Sequence, residues 1–134
     1  MIRALDGTTS VSGQIQPADV QALVPSGFSM IICNRPDGEE PGQPAAAEIE
    51  SAARAEGIAF RLVPIARGIG PSDVEAMQDA LAAAEGKVLA YCRTGNRSAL
   101  TWAVARRGQG ANVEDIRQAV AAAGYDLSPV EHLL

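Results

Sequence analysis

Cysteine, histidine, positive charge and long apolar runs are all in short supply in this sequence, and each shortage closes off a class of function. With Cys33 and Cys92 alone there is no disulfide framework and no metal-ligand spacing. Eleven Lys and Arg against sixteen Asp and Glu leave a net charge of -5, which argues against nucleic acid or an anionic membrane as the main partner. No run is long and apolar enough to span a bilayer, and Met1-Ile2-Arg3-Ala4-Leu5-Asp6 lacks the apolar core of a signal peptide. The expected setting is therefore a reducing cytoplasm, in which a free thiol survives. No repeat, linker or low-complexity segment divides the 134 residues, so a single domain over 1–134 is expected, with no cofactor.

What is there is an alternation of apolar strands and alanine-rich helices. Residues 10–15 alternate polar and apolar like a short edge strand. Residues 17–23 read as a helix with proline in its first turn. Phe28 to Cys33 is a compact apolar strand, followed by a turn, 34–43, too rich in Pro and Gly for regular structure. A helix from Ala45 to Glu56 leads to a third strand, 58–65, and a loop, 66–71. Ser72 with Glu75 suggests a capping box for a helix over 73–85. The strand 88–91 and the helical pattern from Ala99 follow. Asn112 then caps a helix running to about Ala123, and a last short one starts at Ser128. Strands alternating with helices imply an α/β fold with a mostly parallel central sheet flanked by helices. Ligands in such sheets bind outside the carboxyl ends of the strands. The loops after Cys33, Ile65 and Tyr91 should thus open on one rim, bringing Arg35, Asp37, Glu39, Glu40 and Arg67 into the company of Cys92.

The chemistry is concentrated in Tyr91-Cys92-Arg93-Thr94-Gly95-Asn96-Arg97-Ser98, a tight loop between strand and helix. Loop amides and the unpaired N–H groups of a starting helix converge on one spot and favour an anion. A thiol placed there is favoured as thiolate, with Arg97 adding to the effect. Most lone cysteines are small core hydrophobes, but one at a strand–helix junction, with Gly three on and Arg five on, fits a nucleophile far better. Arg93, Thr94, Gly95, Asn96 and Arg97 form the expected anion-binding ring, with Arg67 as a further cation. Ser98 could donate to the thiolate or cap the helix. Cys33 reads as core filling or as a disulfide partner for Cys92 under oxidation.

The loop resembles the active-site loops of two groups of cysteine enzymes, the protein tyrosine and dual-specificity phosphatases and the rhodanese sulfurtransferases. Beyond the loop, the chain resembles the bacterial family named for the phosphatase-like domain of beta-lactamase hydrolase-like proteins, some of whose members are described as sulfur transferases. Residues 10–15, 34–44, 90–95 and 124–128 carry that likeness. It implies the compact fold of a dual-specificity phosphatase.

Three departures from the phosphatase pattern shape the expected function. Four residues, not five, separate Cys92 from Arg97, which is the rhodanese spacing. Tyr91 stands where those phosphatases have histidine, and the only histidine, His132, reads as a surface residue of the last helix. Ile65-Ala66-Arg67 stands where many of them have a general-acid aspartate, and a guanidinium cannot protonate a leaving group near neutral pH. Asp37 is a candidate substitute acid only in the phosphatase reading, its Pro–Asp–Gly turn being favoured for backbone reasons alone; Asp73 suits a helix start and Glu39 and Glu40 a solvated turn.

Sulfur transfer is the leading expectation. Thiosulfate or a persulfide would be the small anionic donor, Cys92 would carry the sulfane sulfur, and a thiol would accept it. The alternative is hydrolysis of a phosphorylated substrate through a Cys92 phosphocysteine. A third reading is a module that binds an anion or phospho-ligand without turnover.

Overall fold

The computed structural model describes residues 1–134 and folds around one five-stranded sheet. The strands are β1 (Arg3–Ala4), β2 (Thr9–Ser12), β3 (Phe28–Cys33), β4 (Ala59–Leu62) and β5 (Lys87–Tyr91), in the order β1-β2-β5-β3-β4. β2, β5, β3 and β4 run parallel, and only the two-residue β1 pairs antiparallel, at the edge beside β2. The expected α/β architecture is thus the one observed. β5, which leads into the cysteine loop, lies at the centre of the sheet and is buried from Val88 to Tyr91. A central parallel strand is covered on both faces, which is why its sequence is continuously apolar rather than alternating.

The helices are α1 (Ala46–Ala55), α2 (Pro71–Ala83), α3 (Asn96–Gly108) and α4 (Val113–Ala122), with 3-10 segments at Pro17–Leu23 and Ser128–Leu133. They form two layers. On one face α2, α3, α4 and the last 3-10 segment pack on Val11, Met30, Ile32, Val88 and Ala90. On the other face α1 and the first 3-10 segment pack on Ile31, Cys33, Leu89 and Tyr91. The odd–even division of β3 and β5 between these layers is the two-residue period of a strand. α3 is buried at every position from Ser98 to Ala105, so its alanines serve close packing in the middle of its layer.

Several boundaries differ from expectation for local reasons. The segment 17–23 is a 3-10 turn rather than an α-helix; seven residues give an α-helix too little length to repay its nucleation. α2 begins at Pro71, not Asp73, and Ser72 is not its cap. Gly70 takes the cap position, and its N–H donates to Asp73 Oδ2 at 2.8 Å. β1 was hidden because two residues carry no periodicity, and its Arg3 instead donates to Ala123 O at 2.8 Å, tying the chain's start to the end of α4. Asn112 caps α4 as expected, accepting from the N–H groups of Glu114 and Asp115. No helix is long and apolar enough to cross a membrane.

Candidate active site

Three of the loops at the carboxyl end of the sheet meet, and Arg97 is where they meet. Its Nη1 donates to Ile65 O after β4, at 2.8 Å, and to Glu39 Oε2 after β3, at 2.7 Å; Nη2 donates to Glu39 Oε1, also at 2.7 Å. Arg97 itself sits one residue into α3. The rim predicted from the order of strands and helices is therefore built, and it is held together by one guanidinium.

The cysteine loop has a defined internal geometry. Cys92 N donates to Ser12 O at 3.3 Å, extending the β2–β5 pairing by one residue. Gly95 takes φ +92°, a left-handed conformation that turns the chain back on itself. Its N–H then donates to Cys92 Sγ at 3.1 Å. A Cβ at position 95 would collide with the hydroxyl of Tyr125, which in turn donates to Thr94 O at 3.3 Å. Glycine is therefore required twice here, by conformation and by space. Asn96 N bonds Thr94 Oγ1 at 3.3 Å, whereas the N–H groups of Arg93, Thr94, Arg97 and Ser98 have no intramolecular acceptor. Unpaired donors in a loop at a helix N-terminus, next to a sulfur, are the kind of groups that favour an anion.

Cys92 is wholly excluded from solvent. Its surroundings differ from those of an unpartnered core thiol, since its sulfur already accepts a backbone N–H. The Arg97 guanidinium is stabilised in its charged form first by Glu39 and, more weakly, by Cys92. The sulfur is buried, whereas Arg93, Thr94 and Asn96 of its own loop are exposed and the Glu39–Arg97 pair is partly exposed.

Glu39 and Glu40 are exposed, as their turn suggests, but both are also paired with arginine. Arg35, only 2% exposed, donates from Nε to Glu39 at 3.0 Å, from Nη2 to Glu40 at 2.7 Å and from Nη1 to Gln14 Oε1 at 3.0 Å. Glu39 thus bridges Arg35 and Arg97. Arg97 first, and Arg35 after it, hold its carboxyl at about 2 against the opposing effect of burial. Glu39 is accordingly a fixed anion at neutral pH and no proton donor. The sequence signal was present in a buried-capable Arg followed by acids four and five residues on, but a Pro/Gly-rich turn gave no reason to expect burial.

The remaining expected residues divide. Asp37 Oδ1 accepts from Ala46 N, the first residue of α1, at 2.8 Å, so its carboxylate is used to cap a helix. Ser98 does neither of the things its position suggests. Its hydroxyl donates to Asn34 Oδ1 at 2.8 Å, and Asn34 Nδ2 donates to Val63 O at 2.9 Å, a buried link between α3 and the strand ends. Arg93 is 64% exposed and 3.6 Å from Glu40. Arg67 is exposed on its loop and bonds none of the site residues. His132 is exposed too, but lines a cleft with Asn96 and Arg97.

Tyr91 packs with Cys33 in the α1 layer; its hydroxyl is buried without a hydrogen-bond partner, and burial raises its pKa. Cys33 stands opposite Tyr91 in the sheet and donates weakly to Arg35 O at 3.3 Å. Burial pushes its thiol up. Its place in the α1-side core fits core filling, and both cysteines are free thiols here.

The chain is similar to known proteins in sequence and in fold. Residues 1–111 match the family described as beta-lactamase hydrolase-like protein, phosphatase-like domain. A beta-lactamase hydrolase-like protein of Agrobacterium fabrum is 37% identical over 123 residues, 88% of this chain and 28% of that protein, so the chain spans little more than a quarter of such relatives. A candidate phosphatase of Neisseria meningitidis Z2491 shares 39% identity, with a TM-score of 0.84 over 98% of this chain and 95% of its own. The PTP-2 phosphatase of Cydia pomonella, at 16% identity, shares the fold, with a TM-score of 0.72 over 98% of this chain and 84% of its own. With its phosphatase-like sheet and its cysteine loop, the chain belongs to the family of beta-lactamase hydrolase-like phosphatase-like domains.

Proposed function

We propose that this chain is a cysteine-dependent phosphatase acting on phosphate monoesters whose leaving groups need no proton. The observation that carries the proposal is that the N–H groups of Arg93, Thr94, Arg97 and Ser98, in the loop and helix start that follow Cys92, have no intramolecular acceptor, while Gly95 N–H already reaches its sulfur. Such donors match the equatorial oxygens of a phosphoryl group and stabilise the charge that spreads over them in the transition state. The Cys92 sulfur attacks phosphorus, the P–O bond to the ester oxygen breaks, and that oxygen leaves with the electron pair. Water then attacks the phosphocysteine, the S–P bond breaks, and inorganic phosphate and the thiolate are restored. Arg97, freed in part from Glu39, holds two phosphoryl oxygens through its fork. Family membership and the phosphatase-like fold support this reading over sulfur transfer, for which the comparisons offer nothing.

The restriction to easy leaving groups comes from the carboxylates. Asp37 caps α1, Asp73 caps α2 and Glu39 is held ionised by two arginines. A proton donor contributes about 10²–10⁴ in rate, so alkyl esters should be poor substrates and aryl or acyl phosphates good ones.

One specific observation keeps sulfur transfer as a second reading. Four residues between Cys92 and Arg97 make a smaller ring than five, and sulfite displaced from thiosulfate leaves without protonation. Two assays on the same preparation separate the readings: release of phosphate or phenolate from an aryl phosphate, and formation of thiocyanate from thiosulfate and cyanide, each repeated with Cys92→Ser. Cys92-dependent phosphate release is expected. Thiocyanate alone would replace the first reading by the second, and silence in both assays would leave an anion-binding module.

A further inference from the structure

We infer that the cleft beside Arg97 receives the body of the substrate, and that this body is a small aryl ring carried by an anionic head. The inference rests on the anion-site reading above and adds the substrate's chemical class.

The cleft lies between the loop after β4, the start of α3 and the carboxy-terminal 3-10 segment, and has a volume of about 400 Å³. That falls in the range of about 300–1,000 Å³ in which small molecules are bound. Its walls are Ile65, Ile69, Leu100, Val130 and Leu133, while Asn96 and Arg97 stand at the end shared with the cysteine loop. Arg97 therefore belongs to both spaces: its guanidinium contacts Ile65 O on the cleft side and its backbone N–H is one of the free donors.

Charge singles this cleft out. No carboxylate lines it, whereas the four other sizeable cavities are lined by Asp6, Glu56, Asp19 or Asp115. In a chain with a net charge of -5, an apolar cleft with no acid in its lining, bordered by an arginine that an incoming anion would share with Glu39, suits a molecule that is apolar at one end and anionic at the other. The dimensions suit a small molecule, since a folded surface could not enter. Fully burying an aromatic ring favours binding by roughly tenfold to a hundredfold.

The test uses two inert anions with the same head, phenylphosphonate and methylphosphonate, titrated by calorimetry against the intact reduced protein. Phenylphosphonate should bind about tenfold or more tightly. Ile69→Ser, and separately Leu133→Ser at the more exposed outer wall, should each shrink that ratio severalfold; circular dichroism verifies that both variants fold. Equal affinities for the two anions would overturn the cleft assignment while leaving the anion site standing. Failure of both anions to bind would overturn the anion-site reading and the cleft assignment with it.

Discussion

Replacing Glu39 by Gln removes the charge that joins the loop after β3 to the cysteine loop, and its cost can be worked from the structure. A carboxyl held at about 2 rather than 4.5 corresponds to about 3 kcal/mol at neutral pH. Glu39 and Arg97 are 28% and 24% exposed, and solvent screening reduces this to about 1–2 kcal/mol. Because the folded-state pKa is the lower one, the stabilisation is complete above the unfolded value. It is lost as pH falls from about 5 towards 2, with less than half remaining near pH 3. Urea unfolding of wild type and Glu39→Gln at pH 7 should therefore differ by about 1–2 kcal/mol, and by less than half as much at pH 3. The same variant leaves Arg97 more available to an anion, so phosphonate should bind it more tightly at pH 7. A stability difference that does not change between pH 7 and pH 3 would refute the assignment of Glu39 as the ionised bridge between Arg35 and Arg97.

Three further outcomes follow from the same geometry. Asp37→Asn keeps an acceptor for Ala46 N and removes an acid; aryl phosphate turnover should change by less than about twofold, whereas loss of a general acid would cost about 10²–10⁴. Ser98→Ala strands the buried Asn34 amide oxygen, and thermal unfolding should show a loss of about 1–3 kcal/mol, a fall of several degrees. Gly95→Ala forces a side chain onto a φ of +92° and into the Tyr125 hydroxyl. It should cost about 1–3 kcal/mol and abolish most anion binding, with partial recovery of stability on adding Tyr125→Phe.

Much of this architecture can be read directly from the residues. The continuous apolar run of β5, the glycine three residues past Cys92 and the helical pattern beyond it dictate a strand, a tight turn and a helix, and hence the free N–H donors. Parallel topology then supplies the rim, which is why Ile65 O and the 34–43 loop could be expected near Arg97. What escaped are contacts that depend on three-dimensional packing. Arg35 is buried only because Glu39, Glu40 and Gln14 happen to surround it, and no spacing along the chain announces that. Ser98 finds Asn34 from 64 residues away. Tyr125 closes under Gly95 from beyond α4, and the cleft exists only because the last 3-10 segment folds back beside α3.

The most direct test of the central claim is the intact mass of the protein, acid-quenched during turnover of an aryl phosphate, with the modified peptide mapped. A single phosphoryl group on Cys92, absent in Cys92→Ser, is the predicted result. An unmodified Cys92 throughout turnover, or a lone added sulfur after thiosulfate with no phosphoryl adduct under any condition, would contradict it.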